Sequence, residues 1–131
     1  MSCDFDSYKN TKGRHEGIDF TLYKGATIYS LITGKVTRVY VPSSGLSTIT
    51  IYDSVNNKTV VYLHSASAKV NVGQTVARGQ AIAVESDRGA RGSPHTHIEV
   101  RNGNVVSAAK SVNDDKLENS NPYSYWAKVL F

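Results

Sequence analysis

The chain predicts an all-β fold, mostly antiparallel, on three observations. β-Branched and aromatic residues gather in short runs, Gly, Asn, Asp or Pro punctuate those runs, and no stretch before residue 107 holds a helical period over the roughly 10 to 12 residues a helix needs. With 131 residues and 40% hydrophobic content, a single domain spanning 1–131 with one core is expected.

The first run is Ile18 to Leu22, followed by Thr27 to Leu31 between Gly25 and Gly34, then Lys35 to Val41. Pro42 to Gly45 makes a turn before Ser47 to Tyr52. Asp53 to Lys58, with its Asn56-Asn57 pair, reads as a hairpin connection into Thr59 to His64. Thr75 to Val76, Ala81 to Glu85 and His95 to Arg101 follow, and Asn102-Gly103 signals a type I′ hairpin into a last strand at Asn104 to Val106. Residues 107–120 are polar and read as a surface excursion or a turn of helix. Tyr123 to Phe131 is apolar enough to pack back on the body, as a short helix.

Composition narrows the function classes. The net charge of +4 suits an anionic partner, such as a wall carrying acidic polymers, but Lys and Arg are spread along the chain with no basic run interleaved with aromatics. No nucleic-acid partner is expected. No run approaches the roughly 18 apolar residues of a membrane span. Met1 to Asp6 lacks the basic and apolar regions of a secretory signal, so the expectation is export by other means or a domain cut from a longer chain. Cys3, the single cysteine, excludes an internal disulfide and reads as an inert thiol near a terminus rather than a metal ligand.

The four histidines are the most informative residues. They fall in His15-Glu16-Gly17-Ile18-Asp19, at His64 after Tyr62-Leu63, and in His95-Thr96-His97. In a strand, residues two apart share a face, so His95, His97 and Glu99 line one side and Thr96, Ile98 and Val100 the other. A histidine-bearing face backed by an apolar one is unusual for a purely structural strand. His15 and Asp19 are four apart, an even offset, and Gly17 between them allows a bend toward a shared ion. Each motif alone has a plain structural explanation, whether chance spacing, an exposed polar pair or a strand-end histidine. Together they offer two imidazoles and a carboxylate for a tetrahedral Zn²⁺ shell with one position left for water, and two further histidines for proton transfer. Tyr29, Tyr40, Tyr52 and Tyr62 are candidates for a substrate contact, although most are expected to be half-buried strand residues. Asp87, Arg88 and Arg91 sit in a charged loop before His95 and could flank a groove.

On these motifs, with Gly25 to Ile28, Gly34-Lys35-Val36, Val72 to Ile82 and Ser93 to Val100, the chain resembles the lysostaphin-type (LytM-like) zinc metallopeptidases, which cleave peptide bonds in bacterial peptidoglycan. The resemblance covers residues 13–106, and the Asn121-Pro122 segment looks like the family's closing turn. It implies a twisted antiparallel sheet of the duplicated hybrid motif type with a metal-bearing groove. It also implies one Zn²⁺ per chain on His15, Asp19 and His97, with His64 and His95 as catalytic histidines. Glu99 is then a candidate acceptor for the N–H of a liganding imidazole. Ser65, Thr96 and the loop Glu85 to Gly92 depart from the family pattern, which bears on which peptide is cut. The implied protein is a monomer acting on a peptidoglycan peptide at the cell wall, as the catalytic part of a phage endolysin, a tail-borne wall hydrolase or an excised domain. The competing expectation is an inactive lysostaphin-like binding or assembly module.

Overall fold

A computed structural model of the chain describes residues 17–21, 26–41, 47–63, 65–85 and 95–107, and at 17–21, 65, 66, 85, 95 and 96 the backbone alone. These residues form β1 (Gly17–Thr21), β2 (Thr27–Tyr29), β3 (Gly34–Tyr40), β4 (Thr48–Asp53), β5 (Lys58–Leu63), β6 (Ser65–Ala68), β7 (Thr75–Val76), β8 (Ala81–Glu85) and β9 (His95–Asn102). Every pairing among them is antiparallel. There are two sheets, one of six strands in the order β1-β9-β5-β4-β3-β7 and one of three in the order β2-β8-β6. The all-β expectation holds, and no helix occurs among the described residues.

Alternation in the large sheet sends Ile49, Ile51, Val60, Tyr62, Ile98 and Val100 to one side, where they meet Ile28, Ile82 and Ala83 of the small sheet in one buried cluster. The Leu31 N–H, just past β2, donates to the Tyr62 hydroxyl at 3.0 Å, so a polar contact also joins the two sheets. The β4–β5 hairpin forms where expected. Asp53 Oδ1 accepts from the Val55 and Asn56 N–H groups at 2.9 and 3.2 Å, which organises the turn before Asn57, at φ 54°, reverses the chain.

One irregularity governs what the other side of the large sheet presents. The β3–β4 register shifts between Val36 and Arg38, so Thr37 and Arg38 together oppose Thr50 in a β-bulge. Thr37 Oγ1 lies 2.7 Å from Thr50 Oγ1. Without the extra residue, alternation from the buried Val36 would turn Arg38 and Tyr40 inward. With it, Val39 packs against the core while Arg38 and Tyr40 share the outer face with Thr50 and Thr48.

Four readings are corrected. Ser65–Ala68, absent from the expected strands, is a strand, recruited by pairing with β8 although its Ser and Ala residues have little strand propensity. Asn104 to Val106 is not a strand, and Asn102-Gly103 is not a type I′ turn: Gly103 alone takes a positive φ, 81°, whereas that turn needs two. Instead the chain leaves β9 and crosses the outer face of the large sheet. Thr59 Oγ1 donates to the Gly103 carbonyl at 2.7 Å, the Val105 N–H donates back to Thr59 Oγ1 at 3.3 Å, and Arg38 Nη1 donates to the Val106 carbonyl at 2.8 Å. Gly17, read as a bend, is a paired strand residue opposite Glu99. Cys3, the loop with Asp87, Arg88 and Arg91, and residues 108–131 lie outside the described residues.

Candidate active site

Residues directly opposite one another in antiparallel strands share a face, with Cβ atoms about 4.5–5.5 Å apart. Applied across the large sheet, the register lines up Asp19, His97, Leu63, Thr48 and Tyr40 in one row, and Gly17, Glu99, Val61, Thr50 and Arg38 in the next. Asp19 and His97, far apart in sequence, are thus adjacent positions on the outer face. His95 falls two residues along β9, opposite Thr21, on the same face by alternation. His15 and His64 lie outside the described residues. Their chain neighbours bracket the same place: Gly17, two residues after His15, pairs with Glu99, and Leu63, bonded to His64, pairs with His97.

His97 is 8% exposed and Glu99 2%. His97 Nε2 lies 2.9 Å from Glu99 Oε2. With the proton on Nε2 donated to the carboxylate, the imidazole holds its lone pair on Nδ1, the tautomer that leaves a ring nitrogen for a metal. A carboxylate at that depth is costly unless paired, and the imidazole N–H is one of the groups that compensates it. Among the described residues no group of three His, Cys, Asp or Glu side chains gathers as a metal site. Imidazole nitrogens with a carboxylate oxygen, the donor types of the residues that the register makes neighbours at Asp19 and His97, suit Zn²⁺.

The tyrosines separate by face. Tyr62 is fully buried on the core side, which removes it as a substrate contact, and burial pushes its phenol up to about 12 against smaller downward pulls from the Leu31 amide and Ser30. Tyr29 is exposed on the small sheet, and the Tyr52 hydroxyl donates to Asn57 Oδ1 at 2.7 Å in the β4–β5 turn. Only Tyr52 is half-buried as expected of most of the four. Tyr40 is on the outer face, in the row of His97, beside Arg38. Arg38 did not emerge from sequence reasoning, although the spacing of three between Val36 and Val39, both on the core side, was a readable sign of the bulge that exposes it.

Residues 13–113 match Peptidase family M23. The chain belongs to this family. That span includes all six site positions, from His15 to Glu99. Within M23, the chain is 39% identical over 87 residues to the peptidoglycan DD-endopeptidase ShyB of Vibrio cholerae serotype O1, covering 66% of this chain and 20% of that protein. It is 34% identical to a zinc-containing peptidase from Vibrio cholerae of known structure, with a TM-score of 0.58, covering 76% of this chain and 31% of that one. The catalytic domain of the antimicrobial peptidase lysostaphin from Staphylococcus simulans shares the fold at 22% identity and a TM-score of 0.74, over 95% of this chain and 89% of that domain. The chain spans between about a fifth and just over a third of the length of the curated relatives it matches, 20% of ShyB and 37% of an uncharacterized lipoprotein of Escherichia coli.

Proposed function

We propose that this M23 domain is a zinc-dependent endopeptidase that hydrolyses peptide bonds of bacterial peptidoglycan at the cell wall. The observation that carries the reading is the register that sets Asp19 directly across from His97, with the His97 ring held by Glu99 at 2.9 Å. The M23 match and the likeness to a DD-endopeptidase and a zinc-containing peptidase support it.

In this reading His15, Asp19 and His97 hold one Zn²⁺. When bound, the ion supplies Lewis acidity toward the scissile carbonyl and toward water. Glu99 fixes the tautomer of His97. His64 and His95 divide the remaining work: one neutral imidazole takes the proton of the attacking water at a ring nitrogen, and the other donates to the developing oxyanion or protonates the leaving amine.

The test is metal content and hydrolysis on the same preparations. His15→Ala and Asp19→Ala should lose zinc. His64→Ala and His95→Ala should keep zinc and lose most release of soluble fragments from purified peptidoglycan. A protein that binds no zinc and is indifferent to chelators would be a binding or assembly module instead. Mass spectrometry of fragments from several wall chemotypes identifies the bond cut.

A further inference from the structure

The face that carries Asp19 and His97 continues across three more strands, and its far end differs chemically from its near end. Along the row of His97, Leu63 and Thr48 are half-buried and Tyr40 is 51% exposed. The neighbouring residues Glu99, Val61 and Thr50 are buried, and on that side the chain after β9 crosses the sheet from Thr59 to Arg38. Among the described residues, the chain crosses one flank of the face, while along the His97 row exposure rises from buried His97 through half-buried Leu63 and Thr48 to exposed Tyr40. At about 4.8 Å per strand this row runs roughly 14 Å from β9 to β3, the reach of about four residues of extended peptide.

At the β3 end the Arg38 guanidinium carbon lies 5.4 Å from the centroid of the Tyr40 ring, and Nη1 donates to the Val106 carbonyl at 2.8 Å. The two contacts fix the orientation of the guanidinium and engage one of its five N–H donors. The bulge at Thr37 is what brings both side chains to this face. A local irregularity that turns side chains to another face, here Tyr40 into the His97 row and Arg38 into the row beside it, is a recurrent device beside active sites.

We propose that Arg38 and Tyr40 form a specificity subsite at the β3 end of the face, which takes a free carboxylate of the peptide about four residues from the bond cut. The proposal rests on the peptidase reading above. The planar fork of Arg38 matches a carboxylate with two parallel hydrogen bonds, and the Tyr40 ring supplies a wall for the adjoining aliphatic chain. The preferred substrate is an acidic peptide rather than an amidated one.

The experiment uses soluble peptidoglycan fragments, as prepared and after carbodiimide amidation of their carboxylates, with cleavage kinetics and calorimetric binding measured on both. Arg38→Gln should raise KM and Kd for the untreated fragments about tenfold, the weight of one charge-assisted contact, with kcat unchanged. The amidated fragments should bind wild type and variant alike, and Arg38→Lys, which keeps the charge without the fork, should recover part of the preference. Equal losses on both fragment sets, or none on either, would overturn the subsite. Arg38-dependent binding of fragments that wild type fails to cleave would uphold the subsite and sink the peptidase reading instead.

Discussion

Glu99 is buried and holds the His97 ring, and under the proposed reading that one contact serves both the packing and the metal. At 2% exposure its charge is removed from bulk water, and the His97 Nε2 at 2.9 Å partly compensates that loss. Replacing the carboxylate with a carboxamide keeps an acceptor and the volume but lowers the basicity passed through the ring. Glu99→Gln should therefore leave the circular dichroism spectrum unchanged while zinc affinity falls by roughly 10- to 100-fold, read by competition against a chromogenic chelator. Unaltered affinity would make Glu99 a packing residue only. The common face of His97 and Glu99 was legible in the sequence, because alternation within one strand is a local property. The Asp19–His97 adjacency came through the family resemblance and not through local pattern, since register between distant segments is decided by which hydrophobic faces pair, and local spacing carries no record of that.

At the level of elements, most strands announced themselves through β-branched runs. Those that did not are informative. β6 has only Ser and Ala, so its strand state comes from the backbone demand of β8 for a partner rather than from propensity. The final strand expected at Asn104 to Val106 has suitable residues but is diverted by Thr59, whose Oγ1 accepts the Val105 N–H, and by Arg38, which donates to the Val106 carbonyl, so its backbone is satisfied in another way. Gly34 read simply as a boundary before β3, yet it opens that strand, paired with Val76, in a tight place. A Cβ there would lie 2.5 Å from the Tyr52 carbonyl oxygen and 2.9 Å from Ile51 Cγ2, and the first of these belongs to backbone held in the β3–β4 and β4–β5 ladders. Gly34→Ala should then destabilise by about 1–3 kcal/mol through overpacking, seen as a lower urea midpoint with an unchanged m-value. A midpoint at the wild-type position would show that β3 shifts at no cost.

For the whole molecule, the decisive arrangement is that two sheets share one core while the described positions of the candidate site, Asp19, His95, His97 and Glu99, lie on the large sheet, so their rigidity depends on how the sheets are joined. Tyr62 does this twice over, by burying its ring between them and by accepting the Leu31 N–H. Its titration makes the join measurable. Burial raises the folded-state value to about 12, against about 10 in the unfolded chain, so the folded protein retains the proton over an interval in which the unfolded chain has released it. Below pH 10 both states are protonated and the stabilisation from Tyr62 is complete. As pH rises from 10 to 12 the unfolded chain is favoured by roughly 1.4 kcal/mol per unit, a loss on the order of 2–3 kcal/mol by the upper end. Tyr62→Phe removes that titration but leaves the Leu31 amide without its acceptor, a cost of about 1–3 kcal/mol at neutral pH. The difference in unfolding free energy between wild type and variant should therefore be largest near pH 8 and shrink toward zero, or change sign, by pH 12. Taking the difference cancels the alkaline response of every other group, so urea titrations of the two proteins at four or five pH values isolate the phenol, and parallel curves would refute its role as the buried link between the sheets.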